Sequence, residues 1–395
     1  MIFEPAHGGL EGSLAMKPES MTPDERFWAA IRLEKPDRVP VVPTLLPEPA
    51  AGLTGLTQAQ IARDNDLAVA AVFEVFDEYG GWENPHPAGS LPIQLQAIGY
   101  YPMKVRTPGR ELSDDAEFQL LEEEVLARSD YEKICEMGFD NFYFEDYLWR
   151  VSDLAPSQLP DTLSSLALAF QKFQAKCAER SLTPAFVAAA IHPFFSLSLM
   201  RSLISFTKDL YYDPDPVERT LRKMTADLIA KQIDMVKASG IDLWLLVEER
   251  ASGFFYPPAI FERFWWPYTR QIVDAFWSEG IVTVFHLDQC WDKNVSYFRE
   301  LPRGSAVLAL DSTTDIFAAR DVLGDHLCLW GDVSASLLSI GRPEEVSAYC
   351  KRLIDEVGAD GGFILGSGCS VPPNVRPENF RSMIETGKTY ELSRR

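Results

Sequence analysis

Short apolar runs alternate with long amphipathic stretches along most of this chain, and no other feature so narrows the folds open to it. "IDLWLLVEE" (241–249), "PAIFERFWWPYTRQIVDAFWSEG" (258–280) and "IVTVFHLD" (281–288) follow one another directly. A run apolar at every position suits a strand buried on both faces, and a long amphipathic stretch between two such runs suits a crossover helix. "PAFVAAAI" (184–191), "SAVLALD" (305–311), "HLCLWGDV" (326–333) and "GGFILGSG" (361–368) repeat the strand pattern. The spacing predicts a helix over 215–240, with Asp215 as cap, Pro216 in its first turn and Gly240 just past its end. Leu221, Met224, Leu228, Ile229, Ile233 and Met235 supply its apolar stripe. An earlier start signal stands in "MTPDERFWAAIRLEKPDRVPVVP", where Thr22, Pro23 and Glu25 form a capping box, and "RVPVVPTLL" reads as a short strand edged by prolines.

The alternation covers nearly the whole chain without a low-complexity linker. It predicts an α/β fold, a single (β/α)8 TIM barrel over 21–395 with an N-terminal helical extension, preceded by a loose glycine-bearing arm at 1–20. An open doubly wound sheet is the alternative, but no strand is followed by a G-x-G-x-x-G or Walker-type loop. The 395 residues carry 58 acidic against 37 basic side chains, a formal charge of -21. That charge disfavours nucleic acid and anionic membrane as partners. No apolar run is long enough for a membrane span, and the first residues lack a signal-peptide pattern. Six scattered cysteines without a C-x-x-C pair suit a reducing cytoplasm.

In a barrel, chemistry gathers at the C-terminal ends of the strands. Those ends carry His192, Glu248 with Glu249, His286 with Asp288, Asp311, Asp332 and Cys369. Imidazole, carboxylate and thiolate together form a zinc donor set. Residues i and i+2 of an extended segment point the same way, so His286 and Asp288 can share one centre, while Cys290 lies past the strand end with no fixed direction. A hydrogen-bonded structural histidine is the competing reading of His286, and a plain buried thiol that of Cys369. Of the adjacent Glu248 and Glu249, only one can face the mouth. His326 and Cys328 read as structural, and His192 could contact substrate or cap a helix. The aromatic stretches "GFFYPP", "FERFWWPY" and "DNFYFEDYLW" read mainly as core, with an aromatic pocket as the alternative. The loop 80–101 suits a lid or part of a pocket.

With these segments in view, the chain resembles the uroporphyrinogen decarboxylase superfamily. "MTPDERFWAAIRLEKPDRVPVVP" looks like its N-terminal helix and first strand, and "LWGDVSASLLSIGRPEEV" like a late strand followed by a helix. "GGFILGSGCSVPPNVRPENFRSMIE" looks like its closing strand and last helix, and "FHLDQC" falls where a His-x-Cys-Gly motif often stands. The resemblance implies a distorted (β/α)8 barrel. The arginine-rich motif that grips a porphyrinogen's carboxylates is missing from "TLLPEPAAGLTGLTQ". An acidic chain without it suits a polyanionic tetrapyrrole badly.

The other branch of the superfamily comprises zinc methyltransferases that work with cobalamin or a corrinoid carrier protein. Resemblance to that branch implies metal ligands at His286, Cys369 and Glu248, with Asp288 standing in the place of a cysteine. Cys290 as the replacement ligand, or loss of the metal, are the alternatives. Aspartate is favoured because it binds zinc and carries the same charge. A harder oxygen ligand suits polarising an ether oxygen, and the aromatic-rich mouth suits a methoxy-aromatic donor. The implied reaction is methyl transfer from a small methoxy-bearing substrate to the cobalt of a corrinoid protein. Asp311 and His192 are the candidate catalytic groups and Asp332 the candidate cofactor-binding group. A thiol methyltransferase and a metal-free lyase are the alternatives, and a homodimer is compatible with the reading.

Overall fold

A computed structural model of the protein describes residues 19–87 and 102–391. The anticipated arm at 1–20 and the loop 80–101 therefore lie largely outside the described residues. Among the described residues, no helix is long and apolar enough to cross a membrane.

The capping box of the first helix forms as expected: Thr22 caps Pro23–Ile31 and Glu25 reaches back to it. Three further helices, Pro47–Thr54, Gln58–Arg63 and Asn65–Glu78, precede a small antiparallel ribbon of β1 (Lys104–Arg106) and β2 (Gln119–Leu121). The main sheet is parallel, with six strands in the order β3 (Ala188–Ile191), β4 (Leu243–Glu248), β5 (Val282–Leu287), β6 (Ala306–Leu310), β7 (Cys328–Val333) and β8 (Phe363–Ser367). Its uniformly sequential order follows from the strand–helix alternation, because each crossover returns the chain beside the strand it left.

The expected strand over "RVPVVPTLL" is replaced by extended chain with sparse hydrogen bonding. Val42 N donates to Leu365 O at 2.8 Å and Leu365 N to Pro40 O at 2.9 Å, so residues 40–44 run parallel to β8. Pro40 and Pro43 have no N–H to offer, which keeps the pairing to isolated bridges. On the other side, Glu83 N donates to Val41 O, the Glu83 carboxylate accepts Val41 N, and Ala185 N donates to Pro85 O. These bonds lead from the outer edge of β8 to the chain just before β3.

Alternate residues of the strands enter two separate buried layers. Ile191, Val247, Val284, Val307, Trp330 and Ile364 form the inner layer. Leu246, Phe285, Leu287, Leu308, Leu329 and Leu365 pack outward among the helices.

Two expected helices differ in detail. The long one spans Pro214–Ser239, with Asp213 rather than Asp215 before it. Asp-Pro occurs twice in a row there and the chain takes the earlier pair, while Gly240 ends the helix in the left-handed conformation as expected. Met235 is exposed, so the buried stripe runs through Val217, Leu221, Met224 and Val236 instead. The stretch 258–280 breaks into Pro258–Phe264 and Trp266–Ser278. Pro267 supplies no N–H and crowds the carbonyl one turn back, which a continuous helix could not accommodate.

Candidate metal centre

β5 ends where its two chemical side chains begin to matter. His286 pairs with Val247 of β4 and Ala309 of β6, so its imidazole shares the inner face with Val247 and Val284. Asp288 follows just past the strand, and Cys369 arrives from the turn after β8. The His286 Nε2 lies 3.2 Å from Asp288 Oδ1 and 3.5 Å from Cys369 Sγ, and Cys369 Sγ lies 3.4 Å from Asp288 Oδ2. All three side chains are half-buried.

Gly368 makes the approach of Cys369 possible. A Cβ there would come within 3.0 Å of Ser312 N and 3.3 Å of the Asp311 Cα. The Ser367 hydroxyl donates to Cys369 O at 2.5 Å and accepts Thr44 N at 3.2 Å, which ties the cysteine turn to the first extended segment.

The electrostatics favour a positive charge where these atoms meet. Burial by itself would lower the His286 pKa; the neighbouring Asp288 and Cys369 outweigh it and hold the imidazole well above its usual range. Burial opposes ionisation of Asp288, but the charge and hydrogen bonds of His286 and Cys369 pull its carboxyl below the usual value. Asp288 Oδ1 is buried and faces His286 Nε2 in the ion pair at 3.2 Å. For zinc at its ordinary distances from N, O and S, tetrahedral ligand atoms stand about 3.4–3.6 Å apart. The three observed separations match that triangle closely, so the donor set fits zinc.

Glu248 does not join the cluster. It pairs with Leu287, one residue beyond His286, and so faces the helices rather than the inner layer. It is fully buried, and its oxygens accept Trp265 Nε1 at 2.7 Å and Arg250 N at 2.8 Å. Burial outweighs those hydrogen bonds and pushes its carboxyl up to about 8. The expected carboxylate ligand from this strand is thereby corrected: Glu248 lies on the outer side, away from His286.

His192 lies on the same outer side. It caps the helix Pro193–Arg201 by accepting Phe194 N on Nδ1 at 3.2 Å, and its Nε2 meets Thr269 Oγ1 at 3.1 Å. It is fully buried, burial presses its pKa down to about 3, and it fills the capping role.

Asp311 accepts Gln289 N at 2.9 Å and Thr313 N at 2.9 Å, so it supports the turn that follows β5. Asp332 accepts the Tyr349 hydroxyl at 2.7 Å, and burial raises its carboxyl to about 7. Cys290 donates to Asp292 at 3.2 Å and points away from the cluster. His326 Nε2 donates to Leu301 O at 2.7 Å, and Cys328 is buried in β7, in keeping with their structural reading.

One residue near the centre escaped the sequence reading. His86 is buried against the edge of Phe186, with ring centroids 4.6 Å apart. Burial, and then the charge of His286, hold its pKa down at about 3. His86 lies within the loop read as a lid or part of a pocket, and nothing in the spacing connected it to a strand end 200 residues later.

A family model described as uroporphyrinogen decarboxylase (URO-D) matches residues 143–390, more than half of the chain and all of the main sheet. The chain belongs to that family. Among curated relatives, the uroporphyrinogen decarboxylase of Syntrophotalea carbinolica is 25% identical over 187 residues, 47% of this chain and 52% of that protein. The uroporphyrinogen decarboxylase of Coxiella burnetii is 26% identical over 189 residues, 46% of this chain and 50% of that protein. The chain thus spans about half the length of the curated relatives it matches. A solved structure of a methyltransferase from Methanosarcina mazei covers 93% of this chain and 98% of its own, with a TM-score of 0.66 and 18% identity. This member of the URO-D family shares its fold.

Proposed function

We propose that this URO-D family member is a cytoplasmic zinc-dependent methyltransferase, a distorted (β/α)8 barrel over 21–395. It would move a methyl group from an aromatic methyl ether to the cobalt of a separate corrinoid carrier protein. The observation that carries the reading is the convergence of His286, Asp288 and Cys369 at 3.2–3.5 Å around a point that favours positive charge. The fold shared with the Methanosarcina mazei methyltransferase supports it.

Zinc held by these three side chains would supply Lewis acidity toward the ether oxygen. Asp288 and Cys369 as anions balance the charge of a divalent ion, so the centre gains no net charge to attract stray anions. One carboxylate in place of a second thiolate donates less electron density and keeps the centre harder. The inner layer of Val247, Val284, Val307 and Trp330 closes the floor and excludes water from below.

Elemental analysis of purified protein tests the reading first. Wild type should hold one zinc per chain, and His286→Ala and Cys369→Ala should hold almost none. Demethylation of a methoxybenzoate, followed by the absorption of a reduced corrinoid protein, then tests the reaction. Wild type that binds no zinc after reconstitution would sink this reading in favour of a metal-free lyase.

A further inference from the structure

In an unbroken strand, residues 286, 288 and 290 would all face one side, and Cys290 would compete with Asp288 for the same centre. Thiolate is the softer ligand and an established partner of zinc, so the outcome depends on the backbone between them. That backbone turns sharply. β5 stops at Leu287, and Gln289 has a φ of 71°, a left-handed conformation that side chains other than glycine seldom adopt.

Side chains hold the turn at four backbone atoms, two of them on the peptide between Asp288 and Gln289. Asp311 Oδ2 accepts Gln289 N at 2.9 Å, and Thr314 Oγ1 donates to Gln289 O at 3.1 Å. The same Thr314 oxygen accepts Trp291 N at 3.0 Å, and Trp291 Nε1 donates to Asp288 O at 2.8 Å. Trp291 is fully buried against Trp265 and Phe298, and Thr314 is buried as well, so neither can drift. Past the turn, Cys290 is engaged by Asp292, whose other oxygen accepts Asp315 N at 2.9 Å at the start of the helix Ile316–Leu323.

We propose that Asp311 and Thr314 are positioning residues that select the third zinc ligand, locking the turn at Gln289 so that Asp288 joins His286 and Cys369 and Cys290 is kept out. The inference rests on the zinc reading above and adds to it a device that sets the hardness of the centre. Both candidate ligands are anions, so exchanging one for the other leaves the charge unchanged and alters only the ligand atom. Releasing the clamp lets the chain straighten and brings a second sulfur to the metal.

X-ray absorption at the zinc edge counts sulfur ligands directly, since zinc–sulfur distances near 2.3 Å separate from the shorter nitrogen and oxygen distances. Zinc-loaded wild type should show one sulfur. Asp311→Ala combined with Thr314→Val should show two, and adding Cys290→Ala should return the count to one with zinc affinity at least tenfold weaker. Thr314→Ser keeps the hydroxyl and should reproduce the wild-type spectrum. If the double variant fails to fold, Thr314→Val alone, which preserves the shape of the side chain, is read in the same way. A released variant that keeps one sulfur and is indifferent to Cys290→Ala overturns the clamp while leaving the zinc site standing. Wild type that takes up no zinc overturns the site itself, and is seen before any variant is compared.

Discussion

Two histidine–carboxylate pairs sit on opposite faces of the same sheet, and their contrast explains how the site is made. His286 and Asp288 approach to 3.2 Å on the inner side; His192 and Glu248 approach to 3.5 Å on the outer side. Residue types and spacing are nearly the same, yet the protonation preferences are opposite. The outer pair is sealed: Phe194 N occupies His192 Nδ1, Thr269 meets Nε2, and Trp265 and Arg250 N occupy the Glu248 oxygens. With Nδ1 accepting a hydrogen bond, the contact to Glu248 is between neutral groups. The inner pair gains a third member in Cys369, and all three side chains stay half-buried rather than sealed. A sealed pair of neutral groups is structural, and a half-buried cluster of three donors is a candidate site.

The contrast can be broken most severely from the outer side. Glu248→Ala leaves the Trp265 indole N–H and Arg250 N without their acceptor and opens a void, and should cost about 3 kcal/mol of unfolding free energy. Urea denaturation would measure it, while zinc per folded chain should stay at the wild-type level. A fall in zinc content without loss of fold would mean that the two faces are not independent.

The pH dependence of stability sharpens the same point. An unfolded glutamate titrates near 4.5 and an unfolded histidine near 6.5, whereas folded Glu248 titrates at about 8 and folded His192 at about 3. From 4.5 to 6.5 the proton kept by Glu248 and the proton refused by His192 oppose each other and the pair contributes no slope. From 6.5 to 8 only Glu248 acts; the folded chain binds the extra proton, so stability falls as pH rises, by about 2 kcal/mol over that window. Denaturation of wild type beside Glu248→Gln at pH 6.5 and 8 should show a loss about 2 kcal/mol larger in wild type, since the other titrating groups act alike in both.

Smaller effects belong to the inner face. Gly368→Ala pushes the Cys369 turn against Ser312 and should weaken zinc roughly tenfold, in line with other shifts in the support of metal ligands. Cys290→Ser should leave zinc content and affinity unchanged, as measured by competition with a chromophoric chelator, because the thiol lies outside the cluster.

Much of this was legible in the chain. Continuous apolar runs marked all six strands, and i, i+2 alternation placed His286 and Asp288 on one face, because both depend only on local periodicity. The Glu248 assignment failed for want of register: that Val247, not Glu248, lies beside His286 is a property of pairing between strands, which periodicity within one strand cannot supply. Asp311 and Thr314 were equally hidden as supports, since their partners are backbone groups of another element. The strand expected over "RVPVVPTLL" did not form as a ladder, since its prolines lack N–H groups and 40–44 pairs in isolated bridges.

That weak pairing has a consequence for the order of assembly. Thr44 and Ser367 are 323 residues apart, and the serine that joins them also anchors Cys369. Contacts between such distant parts of a chain carry a high closure entropy and form late. The two ligands on β5 can be in place while the third is still at large, until the first and last extended segments meet. Zinc uptake during refolding would then act as a clock for that final docking, its rate following the seam at 40–44 rather than the arrival of the ion.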